Sequence, residues 1–270
     1  MKARIHRLGQ HSPRVAPLVI GITGSIGCGK SHVRETLAEL GADGIDADVV
    51  AHHVMAPGGP AYEPLVAAFG PDVLRPDGVV DRGQLGARVF SDPAALAQLE
   101  SIVHPAVVQA IRARVAASAA PAVAIEAIKL LEAGLSASLC DEVWVVTCSE
   151  EEQLERLGRT RGMSGAELLR RRSNQMAQQQ MVEAADRIIP THGTLVETER
   201  CVLSAWLEIG LPLAGAWVAG RRGNQLLIAV RMDAPEARAF YERLGFTECG
   251  RLTEEIAGRY VDQIMVEFPL

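Results

Sequence analysis

VIGITGSIGCGKSHV, residues 19–33, runs from an apolar segment into a glycine-rich turn and then directly into Lys30-Ser31. Gly24, Gly29, Lys30 and Ser31 fall on the spacing G-x-x-x-x-G-K-[ST], in which backbone N–H groups cradle phosphate oxygens. The glycines, Gly27 among them, let those N–H groups point inward, and the helix that follows adds its positive end. On this pattern Lys30 bridges the β- and γ-phosphates of ATP and the Ser31 hydroxyl ligates Mg²⁺. Cys28 reads as a small residue facing solvent or backbone, not a nucleophile. Downstream, Val33, Leu37 and Leu40 share one helical face over residues 30–40, and Gly41 stops the helix.

Working outward, the spacing predicts further strands over 44–48 (GIDAD), 122–128 (AVAIEAI), 142–148 (EVWVVTC) and 186–190 (DRIIP). Residues 48–118 are mostly helical, as are the segments from Ser149 to Ala185, and a last helix covers about 194–209. Strand and helix in alternation predict an α/β fold, a parallel sheet flanked by helices. Ligands of such sheets sit beyond the carboxyl ends of the strands. Gly24, Asp46, Asp48, Glu126 and Thr147 all fall at those ends, so separate segments converge on one crevice.

Composition narrows the partners. The 270 residues carry a net charge of −6, which argues against a generally basic nucleic-acid surface. Positive charge is almost all arginine, and Lys30 is one of only three lysines, with Lys2 and Lys129. Cys28, Cys140, Cys148, Cys201 and Cys249 are scattered without a CxxC pair, which indicates neither a disulfide framework nor a zinc site. The basic N-terminus is followed by no signal-length apolar stretch, and no segment approaches the ~20 apolar residues of a membrane span. The expected setting is a reducing cytoplasm.

Asp46-Ala47-Asp48 allows two readings, a helix cap or a carboxylate that accepts the proton of an attacking hydroxyl and helps bind Mg²⁺. His52 and His53 follow on the next helix and read as surface residues. Arg156, Arg159, Arg161, Arg170, Arg171 and Arg172 flank RGMSG, and an arginine-rich hairpin suits a transferring phosphoryl group because guanidinium pairs bidentately with phosphate.

TGSIGCGKS, IDADVVAHHVMAPGGPA, VVDRGQLGARVFSDPAALAQLESIVHPAV and EVWVVTCSEEEQLERL together resemble dephospho-CoA kinase from about residue 18 to 209. The resemblance implies ATP- and Mg²⁺-dependent phosphorylation of the ribose 3′-hydroxyl of dephospho-CoA. It also implies a P-loop NTPase-type five-stranded parallel sheet flanked by helices, a helical acceptor-binding region at about 50–118 and a mobile lid at about 150–180. Carried over, Gly27, Cys28, Gly29, Lys30, Ser31 and His32 hold ATP phosphates, and Asp48 is the general base. Asp46 assists, and Asp81, Arg82, His104 and Pro105 shape the acceptor pocket. Glu126, the remaining acceptor-binding candidate, opens EAIKLLE where the family usually reads D-x-P-L-L-x-E. In the lid, Thr160-Arg161 replaces the usual Arg-Asp, so Arg161 or Arg159 is the catalytic arginine. Thr191-His192 stands where an asparagine near adenine is usual, and His32 replaces a threonine.

A boundary near 212 divides residues 18–211 from a tail, with residues 1–17 as an N-terminal extension. GLPLAGAWVAGRRGN (210–224) reads as a linker. APEARAFYERLGF and GRYVDQIMVEFPL resemble the C-terminal half of a GNAT-type acetyltransferase, with Tyr241 in the place of a proton-donating tyrosine. The tail is expected to be structural or to build an oligomer. Two rival functions remain at this level: a kinase of another small hydroxylated acceptor, and a non-catalytic nucleotide- or CoA-binding regulator.

Overall fold

The computed structural model describes residues 16–270 apart from 91, 132–138, 163, 173–174, 212, 214–215, 223–224, 257–258 and 270. Strands β1 (Leu18–Thr23), β2 (Asp43–Asp46), β3 (Ala122–Glu126), β4 (Glu142–Thr147) and β5 (Arg187–Pro190) form one sheet in the order β2-β3-β1-β4-β5. Every pairing in it is parallel, as the sequence predicts. The strands read as near-continuous apolar runs because both faces are covered. Ile20, Ile22, Ala124, Trp144 and Val146 point into one core, and Val19, Val123, Ile125, Val143 and Val145 into the other. That is the two-residue alternation of a strand.

Helix α1 (Lys30–Leu40) buries Val33, Leu37 and Leu40 and ends at Gly41, whose φ of 113° is the left-handed cap that glycine tolerates. Helices α2 (Ala47–Val54), α3 (Tyr62–Phe69), α4 (Arg82–Phe90) and α5 (Pro93–Ala117) form the helical region beside β2 and β3. It carries a small core of its own, including Leu65, Phe69, Val80 and Leu85. By length and composition α5 is long and apolar enough to cross a bilayer, contrary to the sequence reading; its Val103, Val107 and Ile111 are instead packed into the second core. Helices α6 (Glu150–Arg161), α7 (Gly165–Arg172) and α8 (Gln178–Glu183) lie between β4 and β5, and α9 (Leu195–Glu208) follows β5.

The tail forms a four-stranded antiparallel sheet, order β6-β7-β9-β8, with one helix. Its elements are β6 (Ala216–Arg222), β7 (Gln225–Arg231), α10 (Pro235–Arg243), β8 (Thr247–Ile256) and β9 (Arg259–Pro269). Residues 216–222 of the stretch read as a linker therefore form strand β6, paired with β7. Its register shifts between Val218 and Gly220, and such a bulge breaks the alternation by which a strand is recognised. The polar edge strand β8 escaped notice for the same reason, with a shift between Glu248 and Gly250.

The first core does not stop at the boundary. Phe240, Tyr241, Leu244 and Phe246 belong to the same buried cluster as Leu37, Leu40, Val202 and Trp206. Polar ties reinforce it: Arg200 donates to Leu244 O at 3.0 and 2.8 Å. Arg243 pairs with Glu199 at 3.1 Å and Glu39 at 2.7 Å.

Candidate functional site

Between β1 and α1, the loop bends through Gly24, Gly27 and Gly29 at φ 146°, 82° and 84°. At Gly24 a Cβ would stand 2.3 Å from Val146 O, so no side chain fits there. Lys30 is buried, and its Nζ donates to Gly24 O at 2.9 Å and Ser25 O at 3.1 Å. Burial lowers its pKa, against the pull of negative charge from Cys28, Glu126 and Asp48. The Ile26 N–H donates to Gln175 Oε1 at 3.2 Å. Cys28 does not face solvent; the backbone of Cys148 lies within hydrogen-bond reach of its sulfur, which is the other half of the sequence reading. Cys28 is fully buried, with Cys148 Sγ 2.7 Å and Gln153 Nε2 3.2 Å from its sulfur.

Carboxylates gather where β2 and β3 end in register, Asp46 opposite Glu126. Glu126 takes a hydrogen bond from Ser31 Oγ at 2.9 Å on one oxygen and from Arg34 Nε at 2.9 Å on the other. Strand β2 stops at Asp46, two residues before the expected end. The Asp46 side chain accepts from Asp48 N at 2.9 Å and Val49 N at 3.1 Å, which caps α2. Asp48 consequently sits in the first turn of α2. Burial raises its pKa, the negative charge of Asp46 and Glu126 adds to the rise, and Arg82 and Lys30 oppose it. The charge of Arg82 also acts on His52, whose pKa is lowered first by burial.

Asp81 caps α4, accepting from Gly83 N at 2.9 Å and Gln84 N at 3.1 Å; those hydrogen bonds, that of Gln84 first, hold its pKa low. Arg82 is the first residue of α4. His104 and Pro105 lie within α5, on the turn after Glu100, whose carboxylate meets Lys129 at 3.7 Å. Among the expected residues, the structure thus brings together Lys30, Ser31, Asp46, Asp48, Arg82 and Glu126.

The lid arginines divide. Arg159 stands 80% exposed and pairs with Glu155 at 3.4 Å. Arg161 closes α6, and its side chain lies outside the described residues. Arg156, which the sequence offered only as one of six, turns inward instead. Its guanidinium donates to Thr191 Oγ1 at 3.0 Å and to Thr191 O, and meets Glu152 at 3.3 Å. Thr191 is itself buried and its hydroxyl donates to Cys28 O at 2.9 Å. Arg156 and Thr191 therefore form the floor of the loop. His32, on α1, reaches Glu199 at 3.7 Å.

Tyr241 is 1% exposed, in edge contact with Phe240 and Phe246 at 5.2 and 5.5 Å, and burial pushes its pKa well above the ordinary phenol. A side chain so placed packs the core and cannot protonate a substrate.

The family model for dephospho-CoA kinase matches residues 18–197. A dephospho-CoA kinase of Geobacter metallireducens is 43% identical over 194 residues, 71% of this chain and 96% of that one. One from Symbiobacterium thermophilum is 41% identical over 235 residues, 84% and 98% of the two chains. The crystal structure of TT1252 from Thermus thermophilus matches with a TM-score of 0.65 and 31% identity, covering 72% of this chain and 98% of that one. The acetyltransferase-like reading of residues 213–270 finds no support in these matches.

Proposed function

The chain belongs to the dephospho-CoA kinase family, and from that premise we propose how its site works. The enzyme transfers the γ-phosphoryl group of ATP to the ribose 3′-hydroxyl of dephospho-CoA. The observation that carries the assignment of roles is the pairing of a buried lysine in a phosphate loop with a carboxylate of raised pKa at the start of α2, each within reach of the other's charge.

The loop waits with its own groups satisfied. On ATP binding Lys30 exchanges the carbonyls of Gly24 and Ser25 for phosphate oxygens, and the Ile26 N–H exchanges Gln175 for another. The backbone N–H groups of residues 27–32 cradle the phosphates at the positive end of α1. Asp48 takes the proton of the attacking hydroxyl, and its raised pKa makes it a stronger base than an ordinary carboxylate. Arg82 steadies Asp48 on the acceptor side, with Asp81, His104 and Pro105 shaping the pocket. Glu126 orients Ser31. Asp46 acts through α2, whose start it caps, and holds Asp48 in place. Arg161 or Arg159 covers the transferring group, and lid closure excludes water.

Oxygen donors suit Mg²⁺, which holds few protein ligands and keeps water and substrate phosphates around it. Ser31 Oγ with the Asp48 carboxylate fits that habit. When bound, Mg²⁺ neutralises charge on the β- and γ-phosphates. Free thiols at Cys28, Cys140, Cys148, Cys201 and Cys249 support a cytoplasmic setting. Self-association through residues 213–270 is the corresponding proposal for assembly, and a monomer by light scattering refutes it.

A coupled ADP-release assay tests the reading. Dephospho-CoA is expected to drive release, whereas adenosine and other nucleosides are not. In the same assay Lys30→Ala is expected to lose most turnover while melting cooperatively; near-wild-type turnover would sink the assignment.

A further inference from the structure

Cys28 and Cys148 come from distant parts of the chain. Cys28 lies in the phosphate loop between Gly27 and Gly29, and Cys148 follows the last residue of β4. Their sulfurs are 2.7 Å apart, and both residues are buried, 0% and 5% exposed. That separation is well inside ordinary non-bonded contact, and only a small movement from the ~2.05 Å of a disulfide bond. Gln153 Nε2 donates to the Cys28 sulfur at 3.2 Å. Nothing in phosphoryl transfer uses either thiol.

We propose that Cys28 and Cys148 are a dithiol that hydrogen peroxide closes to a disulfide beneath the phosphate loop, and that the oxidised enzyme binds ATP weakly until a dithiol reductant reopens it. The regulatory half of this proposal rests on the kinase reading above.

The chemistry balances as follows. The Cys28 thiolate attacks one peroxide oxygen, the O–O bond breaks, and hydroxide leaves and is protonated to water. Cys28 is then a sulfenic acid. The Cys148 sulfur, giving up its proton, attacks the Cys28 sulfur; the S–O bond breaks and the hydroxide leaves as a second water. Two electrons pass from the thiol pair to one peroxide, and two waters and one disulfide result. The attacking species is a thiolate, and the surroundings supply it. The hydrogen bond from Cys148 draws the Cys28 pKa down to about 7, with Gln153 and Lys30 assisting and burial opposing. Burial instead pushes Cys140 up to about 12 and raises Cys201.

The consequence follows from where the bond would lie. To receive phosphate, the loop must release Lys30 from Gly24 O and Ser25 O and the Ile26 N–H from Gln175. A covalent tie from the middle of the loop to the end of β4 restrains that release. Peroxide is little larger than water and enters as the loop opens during nucleotide exchange.

The test uses the full chain, reduced, then exposed briefly to hydrogen peroxide and quenched. Peptide mapping by mass spectrometry reads the cross-link, calorimetry reads ATP binding, and both are repeated after dithiothreitol. Neither readout needs an acceptor, so a failure of the dephospho-CoA assignment stays separate. The expected result is a Cys28–Cys148 peptide and an ATP affinity at least about tenfold weaker, as when the competent loop falls to a tenth of its population, with recovery on reduction. Cys148→Ala is expected to form no cross-link and to keep its ATP affinity through the same treatment. Absence of the cross-linked peptide, a cross-link without loss of affinity, or an equal loss in Cys148→Ala would each overturn the proposal.

Discussion

Phe240→Ala probes whether the tail and the nucleotide-binding part unfold as one. Phe240 is 2% exposed and lies in the cluster that holds Leu37, Leu40 and Trp206. It meets Tyr241 edge-on at 5.2 Å, and the Arg243 guanidinium lies 5.2 Å from its ring centroid. Truncating a buried phenylalanine costs about 3–5 kcal/mol, a large part of the roughly 5–15 kcal/mol that holds a domain folded. If the core is continuous, the loss is felt by the parallel sheet and not only by the tail. Three tryptophans allow this to be read: Trp144 and Trp206 are buried in that same core, and Trp217 stands in β6. In a Trp217→Phe background, urea unfolding followed by tryptophan fluorescence reports only the nucleotide-binding part. Phe240→Ala is expected to lower the midpoint strongly at unchanged slope. An unchanged Trp144/Trp206 transition, with a separate early loss of tail structure by circular dichroism, would refute the reasoning.

Three further outcomes follow from the site. Asp48→Asn is expected to cost roughly 10²–10⁴ in turnover, the usual worth of a general base. Because the folded pKa of Asp48 lies above its unfolded value, the charged carboxylate destabilises the fold above that pKa and the cost is relieved as pH falls through it. The asparagine protein should therefore melt higher at neutral pH, and wild-type kcat/KM should fall on the acid side at a pH above the ordinary carboxylate range; a lower melting temperature contradicts this account. Glu126→Gln removes the charge that holds Ser31 and Arg34, so at about 1.5–3 kcal/mol for a charge-assisted hydrogen bond KM for MgATP should rise by about tenfold or more. An unchanged KM would remove Glu126 from the orientation of Ser31. Arg156→Lys keeps the charge but cannot span Thr191 and Glu152 with one planar fork; weaker ATP binding by calorimetry is expected, and wild-type affinity would show the loop floor to be dispensable.

Much of this was legible in the sequence because it is local. The glycine spacing of residues 24–29 fixes a backbone turn, the face of Val33, Leu37 and Leu40 fixes a helix, and the apolar runs fix buried strands. What escaped depends on the third dimension. GIDAD reads as a strand to Asp48 because nothing in its hydropathy marks the point where Asp46 turns from strand residue to helix cap. Strand β6 escaped because its bulge breaks the alternation, and Trp217 and Val218 alone do not restore it. Arg156 is indistinguishable by composition from Arg159, one turn further along α6; only packing aims the first at Thr191 and the second at solvent. The Cys28–Cys148 pairing joins residues 120 positions apart, and no periodicity carries that information.

The departures from the family pattern weigh less once they are placed. Glutamate at 126 is one methylene longer than the usual aspartate, and the extra reach is used: one oxygen meets Ser31 while the other meets Arg34. Lys129, which replaces the leucine of that motif, is half-exposed and meets Glu100 on α5 at 3.7 Å, so its charge is answered locally. Thr191 supports the loop from below through Cys28 O and Arg156. His32, in place of threonine, stands 3.7 Å from Glu199, which Arg243 of the tail pairs. Glu126, Lys129 and Thr191 have thus each acquired a partner, and Thr191 ties the phosphate loop to α6. The ends of β2 and β3 still meet in register, with Asp46 opposite Glu126, so the altered motif leaves that pair of carboxylates in place beside the start of α2.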